Sequence, residues 1–404
     1  MAVSDVTVLR RFAHLDAQAS TALFHLPPQP LRASTDVRDV GAALGAVLYS
    51  PATSPRAAER LLGGYWPGVT AMAFCLEDAI ADRDVTEAED RVEQLLGLVR
   101  DRVEQTGSRG HVPLVFVRVR SCEHLEGLLE RWGPLTDELD GVVLPKIGAT
   151  LAERYLSVIA SAQRGRDRPL WALPIVEGRD IALRESRLEA LLALRETVEA
   201  HRELVPCVRV GATDLSGLWA LRRSRDFTIY DIAVVRDIIA DLVNVLARDP
   251  EGPTISGPVW EYVREDPVFK PRLRQTPFVM EFGAEIGAEL RRELLVTAID
   301  GLLRETLLDR ANGLHGKTVI HPSHARAVDA AHVVSHEEWT SAQAVTEAVH
   351  AGDGVGVSPG GPRMNEPKPH ARWARQTIAR ASAFGVLNAE HSFLALLQDR
   401  DARA

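Results

Sequence analysis

Residues Leu170–Val176 read LWALPIV, an apolar run that ends directly at Glu177 and Gly178. A short uninterrupted apolar run between polar residues is typical of a strand that is buried on both faces of a parallel sheet. The carboxylate that follows it would lie at the C-terminal edge of that sheet, where open and closed parallel sheets bind their ligands. This stretch therefore predicts both the class of fold and a place for the chemistry.

Seven further apolar runs of similar length occur along the chain, which gives eight predicted strands. The other seven are Gly45–Tyr49, Ala71–Leu76, Val112–Val119, Gly141–Leu144, Leu204–Val210, Pro253–Val259 and Lys317–Ile320. Amphipathic segments with helical spacing of apolar residues separate them. These segments are Thr86–Gln105, Glu123–Trp132, Leu151–Arg164, Ile181–His201, Val234–Ala247 and Gly283–Arg310.

Eight strands alternating with helices predict an α/β fold, a (β/α)8 TIM barrel with a C-terminal helical lid or arm. The first long helix is predicted to begin at a capping box, Thr86-Glu-Ala-Glu89. A doubly wound open sheet is the alternative. It would need a glycine-rich phosphate-binding turn after an early strand, and no GxGxxG motif occurs.

Three segments are predicted: a lead of residues 1–40, a barrel domain of residues 41–325 and an arm of residues 326–404. In the arm, His336–His350 and His370–Phe384 have helical patterns, and a loop rich in Gly and Pro separates them. Loops of this length are usually functional or disordered. We therefore interpret the arm as a lid or as a bridge between subunits.

Composition excludes several classes of protein. The net charge is −9 and no basic block occurs, so nucleic acid is not an expected partner. No apolar stretch approaches the roughly 18 residues of a membrane span, and the N-terminus does not resemble a signal peptide. The three cysteines have no metal-binding spacing and fit a reducing compartment. We expect a cytoplasmic protein that contacts neither membrane nor nucleic acid.

Polar residues follow the predicted strands at the end where TIM barrels carry their active sites. They are Glu77, Asp78, Arg118, Arg120, Lys146, Glu177, Gly178, Thr213, Asp214 and His321. Carboxylates that converge on one rim suit a hard cation, Mg²⁺ above all, with Mn²⁺ as its substitute. We expect Glu177 and Asp214 to bind the metal and Arg118 to bind a substrate carboxylate through two hydrogen bonds.

Structural roles remain the alternative at each position. Asp214 could cap a helix, Lys146 could form a salt bridge at the rim, and His321 could close the barrel by bonding to backbone. The Glu77-Asp78 pair either contacts substrate or metal-bound water, or forms a network that anchors Arg118. The order of these residues on successive strands, rather than any single one, makes the pattern specific.

Six short motifs, in this order, resemble those of the citrate lyase beta-subunit-like proteins of the HpcH/HpaI aldolase superfamily. They are Leu76-Glu-Asp-Ala79, Val117-Arg-Val119, Gly141-Val-Val-Leu-Pro-Lys146, Pro174-Ile-Val-Glu177, Gly211-Ala-Thr-Asp-Leu215 and Gly316-Lys-Thr-Val-Ile-His-Pro322. The segment Gly361–Pro367 resembles the lid of that family. The branch most similar in these motifs is that of the predicted carbon–carbon bond lyases linked with tellurium-resistance-type gene clusters.

The resemblance implies a TIM barrel whose C-terminal extension packs on a neighbouring subunit in a homotrimer or hexamer. It implies magnesium on Glu177 and Asp214. It implies that Arg118 binds the carboxylate of a 2-oxo acid such as oxaloacetate, pyruvate or glyoxylate. The metal would stabilise the enolate that forms when the carbon–carbon bond breaks.

The sequence departs from the family pattern at three places. Arg120 stands where relatives carry Asn, and Leu48–Pro51 replaces the usual Phe-Val-Pro-Gly. In relatives that use coenzyme A thioesters, an acid in the lid moves a proton, and here Met364-Asn-Glu366 stands at that place. Glu366 is thus a candidate acid or base, and a coenzyme A thioester substrate stays open.

These observations favour a Mg²⁺-dependent carbon–carbon lyase that cleaves a 3-hydroxy acid or acyl ester to a 2-oxo acid or enolate-derived product, or runs the reverse condensation. Arg118, Glu77, Asp78, His321 and Glu366 are its predicted catalytic residues. The residues expected to bind substrate are Arg118, Arg120, Lys146, Gly178 and Thr213. A metal-dependent acyl ester or thioester hydrolase and a non-catalytic binding protein are the alternatives.

Overall fold

The computed structural model describes residues 7–9, 11–63, 66, 68–109, 112–249, 252–263, 299–357 and 364–397. Eight parallel strands close into a barrel in which each strand pairs with its neighbours in sequence and the last pairs with the first. They are β1 (Ala46–Pro51), β2 (Ala71–Cys75), β3 (Leu114–Arg118), β4 (Gly141–Leu144), β5 (Trp171–Val176), β6 (Cys207–Val210), β7 (Thr254–Gly257) and β8 (Leu314–Val319). The predicted TIM barrel is confirmed, and the open sheet is excluded.

The strands are apolar on both faces because both faces are buried. Every residue of β5 is buried, as its uninterrupted apolar run predicts. Inside the barrel, Val47, Ala73, Phe116 and Leu173 pack against one another. The alternate residues of the strands face the surrounding helices.

Helices cover the outside of the barrel between successive strands. They are Ala57–Leu62, Val85–Thr106, Cys122–Trp132, Ala149–Ala162, Arg179–Ala182, Arg184–Ala200, Ala212–Gly217, Ala233–Leu246, residues 299–311 and Pro322–His332. The predicted helices agree with these within a few residues. Most of the predicted helix Gly283–Arg310 lies outside the described residues.

Two local predictions were wrong. A 3-10 turn, Asp82–Asp84, runs directly into the helix at Val85, so Thr86 already lies in the first turn and forms no capping box. Glu89, its supposed partner, instead contacts His124 and Arg131. Strand β8 begins at Leu314, three residues before the predicted start. The polar residue His315 and Gly316 precede the predicted run Lys317–Ile320 and break the apolar pattern on which the prediction relied.

The lead and the arm pack together at the N-terminal end of the barrel. Phe24–Leu26 pairs with Val386–Leu387, and the helix Pro367–Phe384 packs on the helix Val37–Ala43, which leads into β1. Arg372 donates hydrogen bonds to the carbonyls of residues 247–249, just before β7. The arm therefore lies at the end of the barrel opposite to the C-terminal rim.

The two predicted arm helices are present as His336–Ala351 and Pro367–Phe384. The second begins earlier than predicted because Pro367 is compatible with the first helical turn, where no amide hydrogen bond is needed. Between them, Gly356–Val357 pairs with Met364–Asn365. The predicted boundary between residues 325 and 326 falls inside the helix Pro322–His332, which packs on β8 and β1.

The cysteines Cys75, Cys122 and Cys207 are all buried and free. Across the described part of the chain, no helix combines the length and the apolar character that a membrane crossing requires.

Candidate active site

Arg118, the last residue of β3, joins the carboxylates that follow two other strands. Its Nη2 atom lies 2.5 Å from Oε2 of Glu77, 3.2 Å from Oδ2 of Asp78 and 3.4 Å from Oε1 of Glu177. Burial lowers the pKa of Arg118, but the carboxylates of Glu177 and Glu77 outweigh it and raise the pKa above its ordinary value. The predicted network of Glu77 and Asp78 around Arg118 is therefore present.

Lys146 contacts this network through both its side chain and its backbone. Its φ of 53° is left-handed, a conformation that costs a non-glycine residue about 1–2 kcal/mol. The turn directs its N–H to Oε1 of Glu177, at 2.9 Å, while its ammonium lies 2.9 Å from Oε1 of Glu77. The bond to Glu77 raises the pKa of Lys146. The rim salt bridge given as the alternative for Lys146 is thus present.

Glu177 follows β5 and is buried against the backbone of the next strand. A Cβ atom on Gly211 would lie 2.0 Å from Oε2 of Glu177, so only glycine leaves room for this carboxylate. Burial and the nearby carboxylates of Asp214 and Glu77 raise the pKa of Glu177 to about 7, against the opposing effect of Arg118. Burial disfavours the charged form of this carboxylate, and a bound cation would stabilise that form.

Asp214 lies in the first turn of the helix Ala212–Gly217, directly after β6. The helix cap is Gly211 rather than Asp214, so the capping alternative does not apply. Two cavities, of about 440 and 590 Å³, share Glu177 and Asp214 in their walls. Arg118 lines the first cavity and Lys146 the second.

The two carboxylates fit magnesium by their chemistry. Within the described ranges, no group of three or more His, Cys, Asp or Glu residues is arranged to hold a metal. Magnesium typically takes one or two carboxylates and completes its octahedron with water and substrate oxygens. Glu177 and Asp214, which face common cavities, match that donor set.

The other residues predicted to bind substrate differ in position. Gly178 lines the larger cavity, where a side chain would collide with Oδ1 of Asp180. Thr213 lines the smaller one, and its hydroxyl donates to Glu261 at 2.7 Å. Arg120 is not brought to either cavity, because its guanidinium contacts Asp82 and the carbonyl of residue 76.

Two predicted acid–base residues lie away from the cavities. His321 caps the helix Pro322–His332, where its Nδ1 accepts a hydrogen bond from the backbone N–H of Ser323 at 3.3 Å, a bond to backbone as in the structural alternative. Glu366 precedes the arm helix, and its N–H donates to Nδ1 of His370. Since the arm packs at the opposite end of the barrel, Glu366 does not line either cavity.

Sequence reasoning missed two residues that line the smaller cavity, Tyr49 on β1 and Arg209 on β6. Both belong to runs that were interpreted only as strands. The available signal was polarity, since Arg209 interrupts an otherwise apolar run and Tyr49 places a hydroxyl at the end of another.

The sequence matches the family model of the C–C bond lyases of the TIM-barrel fold over residues 39–386. A search of curated protein sequences gave no match. CitE from Mycobacterium tuberculosis, solved with magnesium, acetoacetate and coenzyme A, is similar with a TM-score of 0.52 and 18% identity, covering 84% of this chain and 99% of that chain. A citrate lyase from Burkholderia xenovorans LB400 is similar with a TM-score of 0.56 and 17% identity, covering 88% and 96%.

Both solved structures share the fold of this chain. At such low identity they support the fold alone, whereas the family model spans most of the chain, including the rim residues of β2 to β6. The chain therefore belongs to the carbon–carbon bond lyases of the TIM-barrel fold.

Proposed function

We propose that this carbon–carbon lyase depends on Mg²⁺ and cleaves a 3-hydroxy acid or acyl ester by retro-aldol or retro-Claisen chemistry, or runs the reverse condensation. The observation that carries the proposal is the carboxylate pair Glu177 and Asp214, which faces a cavity also lined by Arg118. The magnesium in the similar CitE structure supports this choice of metal, and Mn²⁺ is the expected substitute.

In this proposal, Glu177 and Asp214 hold the cation, which supplies a Lewis acid where negative charge develops on oxygen. Arg118 binds the carboxylate of the 2-oxo acid product. Glu77 and Asp78 fix the guanidinium through its Nη2 atom. Its buried Nε has no hydrogen-bond partner among the described residues, so it remains open to a ligand. A fixed donor loses little conformational freedom on binding.

The candidate proton donors or acceptors are His321 and Glu366, and neither lines either of the two cavities beside Glu177. Glu366 lies on the arm at the far end of the barrel, so we propose that it acts on the barrel of a neighbouring subunit. The proposed trimer or hexamer provides that neighbour.

The test is turnover of a panel of 3-hydroxy acids and their acyl esters, with and without Mg²⁺, in the wild type and in Asp214→Asn. Because a Lewis acid contributes several kcal/mol at the transition state, we expect removal of Mg²⁺ or of the Asp214 charge to lower turnover by about 100-fold or more. Asp226→Asn, on an exposed loop, is the matched control. Metal-independent turnover that Asp214→Asn leaves intact would contradict the proposal.

Hydrolysis of an acyl ester or thioester is the second candidate. The observation that favours it is the open cavity of about 590 Å³ beside Glu177, which has room for a large acyl carrier. Coenzyme A occurs in the similar CitE structure. The same panel separates the two reactions, since a lyase releases a carbonyl product and a hydrolase releases only an acid and an alcohol or thiol.

A further inference from the structure

Arg209 is a buried arginine that points into the barrel and forms part of the wall of the smaller cavity. Only 1% of it is exposed. Its Nη2 donates to Oγ1 of Thr318 at 2.7 Å, and the guanidinium carbon lies 5.5 Å from the ring centre of Tyr49. Its Nε and Nη1 atoms have no hydrogen-bond partner among the residues that the structure describes. Two of its three nitrogens are therefore buried without a partner.

Other buried arginines in the described chain have an acidic partner. Arg11 pairs with Asp329, and Arg109 lies 2.5 Å from Asp140. A guanidinium is always charged in proteins, and a buried charge without a counter-ion is strongly unfavourable. Arg209 has no acid within salt-bridge distance in the described ranges. An anion that enters the cavity would supply the counter-ion that the described residues do not.

Tyr49 adds a second donor to the same wall. Its hydroxyl is also buried and has no partner among the described residues. Strands β1 and β6, which carry Tyr49 and Arg209, are separated by β7 and β8 in the closed barrel, and both side chains line the smaller cavity. A planar guanidinium and a phenol hydroxyl around one space can bind a carboxylate or another oxyanion.

Arg209 and Arg118 differ in their position and in how far nearby carboxylates compensate their charge. Arg118 is on β3, three strands away from β6, and its Nη2 is already shared by three carboxylates. The charge of Arg209 is not compensated in this way. The cavity thus has two cationic sites on different strands, and the carboxylates of Glu77, Asp78 and Glu177 neutralise only the one at Arg118.

We propose that Arg209, together with the Tyr49 hydroxyl, binds a second anionic group of the substrate, so that the natural substrate is a 2-oxo dicarboxylate or its hydroxy-acid precursor rather than a monocarboxylate. One end is bound at Arg118 and the metal, and the other end at Arg209. This substrate class rests on the proposed lyase function, which is tested separately by Mg²⁺ titration without organic ligand.

The test uses pairs of 2-oxo acids that have the same carbon skeleton and differ only in the second carboxylate. These are oxaloacetate with 2-oxobutanoate, and 2-oxoglutarate with 2-oxopentanoate. Calorimetry of the wild type, with and without Mg²⁺, should show tighter binding of the dicarboxylate in at least one pair by about 10- to 100-fold. Equal affinity within both pairs, or no binding of any of the four acids, would overturn the proposal.

In Arg209→Gln, that preference should disappear because only the dicarboxylate binds more weakly, while Arg209→Lys retains part of it. Tyr49→Phe should reduce the preference by a smaller factor, and Arg118→Gln should weaken both members of a pair. If Arg209→Gln weakens the monocarboxylate as much as the dicarboxylate, Arg209 binds no second group and the proposal is wrong. Failure of Mg²⁺ to bind would contradict the proposed function. The affinities of the dicarboxylates and monocarboxylates could then still be compared without metal.

Thermal unfolding of Arg209→Met without ligand tests whether Arg209 has a structural role instead. Removing a buried charge that lacks a counter-ion should raise the unfolding temperature by about 2 °C or more, as is usual where a binding group has been retained at the expense of stability. A dicarboxylate should then stabilise the wild type and not the variant. A lower unfolding temperature for Arg209→Met would mean that Arg209 holds the barrel together, and it would overturn the proposal.

Discussion

Gly211 is the residue whose lack of a side chain gives Glu177 its position. The carboxylate of Glu177 occupies the space that a Cβ atom would take, with Oε2 only 2.0 Å from it. A contact that short with a buried side chain forces one of the two to move. The predicted metal ligand therefore depends on a residue that makes no polar contact through a side chain of its own.

We predict that Gly211→Ala displaces the Glu177 carboxylate and weakens Mg²⁺ binding by about 10- to 100-fold, comparable to the loss of a supporting contact in other metal sites. Calorimetric titration with Mg²⁺ measures this effect. Gly217→Ala, at the end of the next helix, is the control because a Cβ there meets no atom within 4 Å. Equal Mg²⁺ affinity in both variants would show that Glu177 is not a ligand.

The sequence predicts the rim residues better than the residues inside the barrel. Glu177, Arg118 and Lys146 were found because each follows a recognisable strand, and strand ends define the rim of this fold. Arg209 lies inside a strand. Because arginine is far commoner than lysine in this chain, a single arginine is weak evidence of a functional site. Its lack of a counter-ion depends on the packing of several strands and is invisible in sequence.

At the scale of elements, β8 shows why a buried strand can be hard to recognise. Lys317 on its outer side is fully buried, and its ammonium lies 2.8 Å from Glu305 and 2.7 Å from Asp309. Both acids belong to the helix of residues 299–311. Burial raises the pKa of Asp309 to about 6, although Lys317 opposes the change. Lys317, the first residue of the predicted run, is therefore the residue that fixes the neighbouring helix.

The helix Pro322–His332 is predicted to lose stability in mild acid. Its last residue, His332, is fully buried, with Nε2 accepting from Gly316 and Nδ1 bonded to the carbonyl of residue 328. Burial, assisted by the positive charge of Arg310, lowers the pKa of His332 well below its ordinary value. Only the unfolded chain gains a proton on this residue as the pH falls through about 6.5, so the folded state loses relative stability.

We therefore expect His332 to account for about 1.4 kcal/mol of the decrease in unfolding free energy between pH 7.5 and 5.5. Urea unfolding at the two values of pH measures it. His332→Gln should show a smaller decrease than the wild type by this amount, whereas the exposed control His350→Gln should match the wild type. An unchanged pH dependence in His332→Gln would contradict the assignment of a neutral, buried imidazole.

At the scale of the whole molecule, the lead and the arm both cover the N-terminal end of the barrel and leave the rim open. The barrel itself was predictable, because eight buried runs with intervening helices have few other solutions. The docking of the arm was not. It depends on contacts such as those of Arg372 with three carbonyls, which join segments far apart in sequence.

The paired segments Gly356–Val357 and Met364–Asn365 favour an oligomer. Val355, Val357 and Met364 are 67%, 76% and 57% exposed, an unusual concentration of exposed apolar side chains. We predict that they pack on a second copy of the chain and that light scattering gives three or six times the chain mass of 44.3 kDa. Val357→Asp should lower this mass, and Leu188→Asp, exposed on a barrel helix, should not. A monomeric wild type would contradict the prediction.

We propose that Glu177 and Asp214 together hold a divalent cation at the rim of the barrel. The most direct measurement is a crystal structure of the protein grown with Mn²⁺, recorded at a wavelength where manganese scatters anomalously. We predict an anomalous peak about 2.0–2.3 Å from a carboxylate oxygen of each of the two residues. A structure with no peak between them, or with manganese bound only to other residues, would contradict the account.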